Sequence, residues 1–72
     1  MDKAQDHINL GLAFSMSRRF EDAIVEYKRA LELNPNDSEV LFQLGTMSGN
    51  VGRYPEAEAY FRRALEINPM NI

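Results

Sequence analysis

The side chains that most often carry enzyme chemistry are few in this chain and form no recognisable set. It has one histidine, His7, and no cysteine, so disulfides, thiolate metal sites and cysteine nucleophiles are excluded. A zinc site would need carboxylates almost alone, which zinc seldom uses. The serines Ser15, Ser17 and Ser48 have no base partner in the sequence that would activate them. We therefore predict that the chain is not an enzyme and holds no metal.

The glycines and the histidine also argue against a cofactor site. Gly45, Gly49 and Gly52 lack the spacing and the following lysine of a phosphate-binding loop. His7 lies on an apolar stripe with spacings of three and four residues. We expect it to pack against neighbouring residues rather than to bind a ligand, and we predict no cofactor.

The charge pattern argues against nucleic-acid and membrane partners. The formal net charge is −3, and the basic residues are scattered pairs rather than the clustered basic face that is typical of nucleic-acid binders. No apolar run approaches the roughly 18–20 residues that span a bilayer. The first residues are polar and acidic, unlike a secretory signal. Because the lack of cysteine also fits a reducing compartment, we expect a cytoplasmic protein. The basic pairs are Arg18–Arg19, Lys28–Arg29 and Arg62–Arg63.

An internal repeat supplies the elements that must position any functional residue. Shifting the sequence by 34 residues aligns 2–35 with 36–69 and gives ten identities, where about two are expected by chance. A period of this length indicates stacked supersecondary units. The identical pairs are Leu10–Gly11 with Leu44–Gly45, Arg19 with Arg53, Ala23 with Ala57, Arg29–Glu32 with Arg63–Glu66, and Asn34–Pro35 with Asn68–Pro69.

Each repeat is expected to contain two helices, because its apolar residues recur at spacings of three and four. We predict helices at about 3–17, 20–33, 37–51 and 54–67. Pro35 and Pro69 end the second and fourth helices, and Asn36 with Glu39 predicts a capping box at the start of the third. No segment alternates in the manner of a strand.

A glycine lies in the middle of the first helix of both repeats, at Gly11 and Gly45, although it costs about 1 kcal/mol relative to alanine. Its repetition predicts that another helix packs closely against it. We expect the bulky Tyr27 and Phe61 to fill the space between the two hairpins.

These residues resemble the tetratricopeptide repeat family, whose 34-residue pattern runs W-x2-L-G-x2-Y, then A-x3-F, then P. Ser48 stands where the family prefers an aromatic residue, which predicts looser packing at the C-terminal end of the third helix. His7 and Leu41 stand where it often has tryptophan. The matching segments are His7-x2-Leu10-Gly11-x2-Phe14, Ala23-x3-Tyr27 and Pro35 in the first repeat, and Leu41-x2-Leu44-Gly45-x2-Ser48, Ala57-x3-Phe61 and Pro69 in the second.

The resemblance implies an all-α fold of two helix-turn-helix hairpins. Their four antiparallel helices would stack as a short right-handed superhelix. The chain, 1–72, would be one such domain, with repeat one at about 2–35 and repeat two at about 36–69. Only three residues follow Pro69, so we expect no C-terminal capping helix.

The resemblance also implies a protein–protein interaction module that binds a peptide or partner segment on a concave face. The first helix of each repeat lines that face in the family. Members that grip C-terminal carboxylates do so with Lys, Arg and Asn, and the expected groove here has no Lys or Arg, so we predict a different ligand. The groove positions carried over are Gln5, Ile8, Asn9, Leu12, Ser15 and Met16 from repeat one, and Glu39, Phe42, Gln43, Thr46, Gly49 and Asn50 from repeat two.

Self-association is the alternative function. Terminal repeats normally need a polar cap. Without one, the outward side of the fourth helix would stay partly exposed or be covered by another copy of the chain. Exchange of helices between copies at an inter-helix turn is one route to such a homo-oligomer. The residues expected on this side are Tyr60, Phe61, Ala64 and Leu65.

Overall fold

The computed structural model describes residues 2–69, and these form four α-helices and no strand. α2 and α4 have the predicted bounds, whereas α1 and α3 are shorter than predicted by one residue at one or both ends. The expectation about a capping helix concerns residues 70–72, which lie outside the described residues. The helices are α1 (Lys3–Met16), α2 (Phe20–Leu33), α3 (Ser38–Asn50) and α4 (Tyr54–Ile67).

An aspartate caps the N-terminus of the first helix in each hairpin. Asp2 Oδ1 accepts hydrogen bonds from the backbone N–H groups of Ala4 (3.0 Å) and Gln5 (3.4 Å). Asp37 Oδ1 accepts in the same way from the N–H groups of Glu39 and Val40, at 3.1 and 3.2 Å. Such caps satisfy N–H groups that have no partner within the helix. The predicted capping box was therefore wrong by one residue, because Asp37 and not Asn36 is the cap.

The turn inside each hairpin uses a residue with positive φ at the same repeat position. Arg18 has φ 60° and Gly52 has φ 83°. The next N–H bonds back across the helix end, from Arg19 to the Phe14 carbonyl (2.9 Å) and from Arg53 to the Ser48 carbonyl (2.8 Å). This is the Schellman arrangement, which satisfies carbonyls at a helix C-terminus. Both hairpins therefore turn in the same way, although one uses arginine where glycine is favoured.

The core lies along α2, which packs against α1 on one side and α3 on the other, while α4 packs on α3. Half-buried apolar residues from α1, α2 and α4, together with Val51 just after α3, surround this core. The buried cluster joins the two hairpins, so they form one packed unit. Its members are Ala23, Ile24, Tyr27 and Ala30 from α2 and Val40, Leu44 and Met47 from α3.

Both mid-helix glycines lie under an aromatic ring, as the predicted close packing requires. A Cβ atom at Gly11 would lie 2.8 Å from Tyr27 Cε1, and one at Gly45 would lie 2.6 Å from Phe61 Cε1. Each ring thus occupies the space that a side chain would take. Tyr27 also belongs to the cluster between the hairpins. The same expectation was wrong for Phe61, which packs within its own hairpin against Gly45 and Phe42.

The C-terminal end of α3 is well packed, so the prediction of looser packing there was wrong. Ser48 and Met47 are both buried. A Cβ atom at Gly49 would lie 4.0 Å from the Ala57 Cβ, which is ordinary van der Waals contact. Small residues at these positions let α3 and α4 pack together, and the space at Gly49 would admit a Cβ atom.

Candidate peptide-binding groove

A cavity of about 300 Å³ lies between α1 and α3, and we call it the groove. Tyr27 of α2 is buried beneath it. Its volume is at the small end of the range for ligand pockets, which suits a few side chains of a partner. The groove residues are Gln5, Ile8, Leu12, Tyr27, Asp37, Glu39, Val40 and Gln43.

Helical spacing places groove residues on one face of α1 and on one face of α3, and these two faces are the walls of the groove. Gln5, Ile8 and Leu12 are three and four residues apart on α1, so they share a face. On α3, Glu39 and Gln43 are four residues apart and share a face in the same way. The two walls are held side by side because α1 and α3 both pack on α2.

The groove has an apolar part and a polar part. Val40 is buried and Ile8 is half-buried, and Leu12 leaves 48% of its surface exposed. The polar groups of the groove are the amides of Gln5 and Gln43 and the carboxylates of Asp37 and Glu39. The Gln5 Nε2 donates to the Asn9 Oδ1 at 3.1 Å. Such a surface can bury an apolar side chain of a ligand and also form hydrogen bonds with a peptide backbone.

Burial acts on the one titratable group beneath the groove. It raises the pKa of the Tyr27 hydroxyl above its ordinary value, because the phenolate is disfavoured away from water, and the nearby Ser15 hydroxyl opposes this in part. The hydroxyl therefore stays protonated at neutral pH and presents a polar but uncharged group.

The structure brings five of the twelve predicted groove residues together and leaves seven outside the groove. Asn9 lies beside the groove through its bond to Gln5. Phe42 is directed to α4 instead, with its ring centroid 5.2 Å from that of Phe61 and the two rings tilted by 56°. Of the rest, Thr46 donates its hydroxyl to the Phe42 carbonyl at 3.1 Å, and Asn50 is exposed at the end of α3. The five that line the groove are Gln5, Ile8, Leu12, Glu39 and Gln43.

Three groove residues were missed, and each for a structural reason. Tyr27 belongs to a second helix, whereas only first helices were expected to line the face. Asp37 was expected inside the third helix rather than as its cap. Val40 falls on the core stripe of α3 and reaches the groove from its edge. The spacing of the apolar residues Val40 and Leu44 on α3 could have indicated that Val40 lies at the edge of the groove.

Sequence reasoning also missed a polar pair beside the core. The His7 Nδ1 lies 2.7 Å from the Glu26 Oε1, and Arg29 Nη1 donates to the other oxygen at 3.2 Å. His7 therefore packs in the hairpin, as expected, and is held by a buried carboxylate. Within residues 2–69, no group of three or more metal-ligating side chains comes together.

The residues predicted for self-association divide into two sets. Ala64 is 0% exposed, so the expectation that it lies on an open side was wrong. Tyr60 is half-buried and packs against the core cluster. Phe61 is half-buried and Leu65 is 51% exposed. Together with the exposed Phe42, they form what we call the outer patch: Phe42, Phe61 and Leu65.

The fold and the groove define a class, the stacked helical-hairpin repeat proteins. Two family models, both described as tetratricopeptide repeat, match residues 4–37 and 26–59. The chain belongs to the tetratricopeptide repeat family and carries two tandem repeats. Members are in general protein–protein interaction modules and typically non-enzymatic scaffolds. No curated protein matches the chain.

No helix in the described part of the chain combines the length and apolar character needed to cross a bilayer.

Proposed function

We propose that the chain binds a short segment of a partner protein in the groove between α1 and α3, without catalysing a reaction. The observation that carries this proposal is the cavity of about 300 Å³ that places apolar side chains beside amide and carboxylate groups. Leu12 lines this cavity and still leaves nearly half of its surface in water, so a ligand would bury it further. Repeat proteins bind their ligands on such surfaces.

The absence of catalysis is supported by where the reactive side chains lie. His7 is paired with Glu26, and the Ser15 hydroxyl donates to the Leu12 carbonyl at 2.8 Å. Neither forms the nucleophile–base pair that covalent catalysis needs.

A matched pair of leucines tests the binding site. Leu12 in the groove and Leu65 in the outer patch are 48% and 51% exposed, so Leu12→Ala and Leu65→Ala remove similar surface. Titrating the ¹⁵N-labelled chain with pools of acetylated and amidated octapeptides should shift the groove amides. Leu12→Ala should weaken that binding about fivefold, since a contact of this kind is worth roughly 1 kcal/mol.

Leu65→Ala is the control and should leave peptide binding unchanged. If no pool moves the groove amides, the proposed function is wrong. If Leu65→Ala weakens binding as much as Leu12→Ala does, the ligand occupies the outer patch instead.

A second candidate function is self-association through the outer patch. Phe42 and Leu65 are exposed; Phe42 packs on Phe61, and Leu65 lies four residues after Phe61 on the same helix face. The Glu58–Arg62 ion pair lies on the same helix at 3.0 Å. In a two-fold dimer the same patch faces itself, so Glu58 of each copy can approach Arg62 of the other.

The same leucine variants test this candidate with the opposite outcome. Sedimentation velocity over a concentration series should show a dimer that Leu65→Ala weakens and that Leu12→Ala leaves unchanged. A chain that stays monomeric to millimolar concentration would contradict self-association.

A further inference from the structure

The groove carries negative charge that no side chain of the described residues neutralises. Asp37 and Glu39 line it, and none of its lining residues is Lys or Arg. The cations that pair with acids do so elsewhere: Arg19 with Asp22, Arg29 with Glu26, Arg53 with Glu21 and Arg62 with Glu58. Neither groove carboxylate forms an ion pair within residues 2–69.

The Asp37 carboxylate is held in position by the helix that it caps. Its Oδ1 accepts two backbone hydrogen bonds, from Glu39 and Val40, and its Oδ2 accepts none within the described residues. A fixed carboxylate with one free oxygen loses little side-chain freedom when a cation binds, which favours binding. Glu39, two residues further along the chain, is exposed and can adjust to the ligand.

The helix dipole opposes this charge but is too small to cancel it. The N-terminus of α3 contributes roughly half a positive charge near Asp37, against two formal negative charges on the carboxylates. The groove therefore remains negative. The negative charge lies beside the apolar groove residues Ile8, Leu12 and Val40.

We infer that the groove selects a partner segment in which an arginine or lysine side chain stands next to an apolar one. The inference rests on the proposed function and names the chemistry of its ligand. The cationic head pairs with the Asp37 and Glu39 carboxylates, and the methylene stem and the apolar neighbour cover Ile8 and Leu12. An acidic segment is rejected because like charges would be brought together with partial loss of water.

Three peptide pools separate the charge preference from binding as such. All are acetylated and amidated octapeptides with leucine at position five and a mixture of Ala, Ser, Gly and Asn elsewhere. Position four is Arg, Gln or Glu. In titrations followed by the groove amides of the ¹⁵N-labelled chain at low salt, the Arg pool should bind about five- to tenfold more tightly than the Glu pool, as expected for one or two exposed ion pairs. Added salt should reduce the difference.

A charge-neutral variant locates the preference. Asp37→Asn with Glu39→Gln should remove it, and asparagine caps helices as well as aspartate does, so the fold is retained. Glu56→Gln with Glu66→Gln is the control; it changes the net charge equally at exposed positions outside the groove and should leave the preference intact.

The outcomes distinguish the inference from the proposed function. Equal binding of the three pools in the groove overturns the inference and leaves the function standing, as does a preference that survives Asp37→Asn with Glu39→Gln. Failure of every pool to move the groove amides overturns both.

Discussion

Ile24 on α2 and Glu58 on α4 occupy the same position in their repeats and meet opposite surroundings. Ile24 is 3% exposed in the cluster between the hairpins, whereas the Glu58 side chain is 73% exposed and pairs with Arg62. α3 covers this face of α2, and no helix of the described residues covers the same face of α4. At this repeat position the residue type thus matches whether another helix covers the face.

The largest effect should come from exchanging these two residues. Ile24→Glu buries a charge without a partner and should reduce the free energy of unfolding by about 3–5 kcal/mol. This loss is a large part of the total stability of a small domain. Glu58→Ile should change it by less than about 0.5 kcal/mol. Urea denaturation followed by circular dichroism measures both. Equal losses would show that the junction is not the core of the domain.

The two glycine–aromatic contacts should differ in how well they tolerate alanine. Tyr27 is buried and cannot move away from a Cβ at Gly11, so Gly11→Ala should destabilise by about 1–2 kcal/mol, which is the overpacking cost less the gain in helix propensity. Phe61 is half-buried and can swing outward. Gly45→Ala should therefore be close to neutral despite the shorter distance of 2.6 Å.

Thermal melts of the two alanine variants test this difference. A loss at Gly45 as large as that at Gly11 would mean that Phe61 is as firmly held as Tyr27.

The hairpin turns should give a smaller effect of opposite sign. Arg18 adopts a positive φ that favours glycine, so Arg18→Gly should stabilise by about 0.5–1 kcal/mol. The gain is reduced by the loss of the contact between Arg18 and the Phe20 ring, 5.8 Å apart. Gly52→Arg is the reciprocal change and should cost about 1 kcal/mol. Denaturation midpoints that move in the same direction for both variants would contradict this account.

The smallest effect concerns pH. Burial raises the pKa of Tyr27, so the unfolded chain ionises this group first, near its usual value of about 10. Stability is therefore retained below pH 10 and falls as the pH rises above it. Tyr27→Phe introduces the residue that repeat two has and should lose less stability between pH 8 and pH 10.5. Parallel urea titrations at the two pH values check this, and equal losses in both proteins would exclude Tyr27 as the cause.

The sequence by itself determined the local structure and the repeat. Spacings of three and four residues set α2 and α4 at their observed bounds, because a helix must place its apolar residues on one side. Pro35 and Pro69 marked the helix ends, and the glycine kept at positions 11 and 45 correctly predicted a close contact. The helix spacing and the helix ends depend on residues near one another in the chain.

Only the tertiary structure decided which of these residues meet across helices. His7 and Glu26 are 19 positions apart, and their pairing follows from how α1 lies on α2. Phe42 and Ile8 share a repeat position, yet one contacts α4 and the other lines the groove. The two residues differ in their surroundings because different helices pack beside α1 and α3. The period of the sequence is the same for both, so it could not predict this difference. The acidic groove therefore emerged only when α3 was placed beside α1.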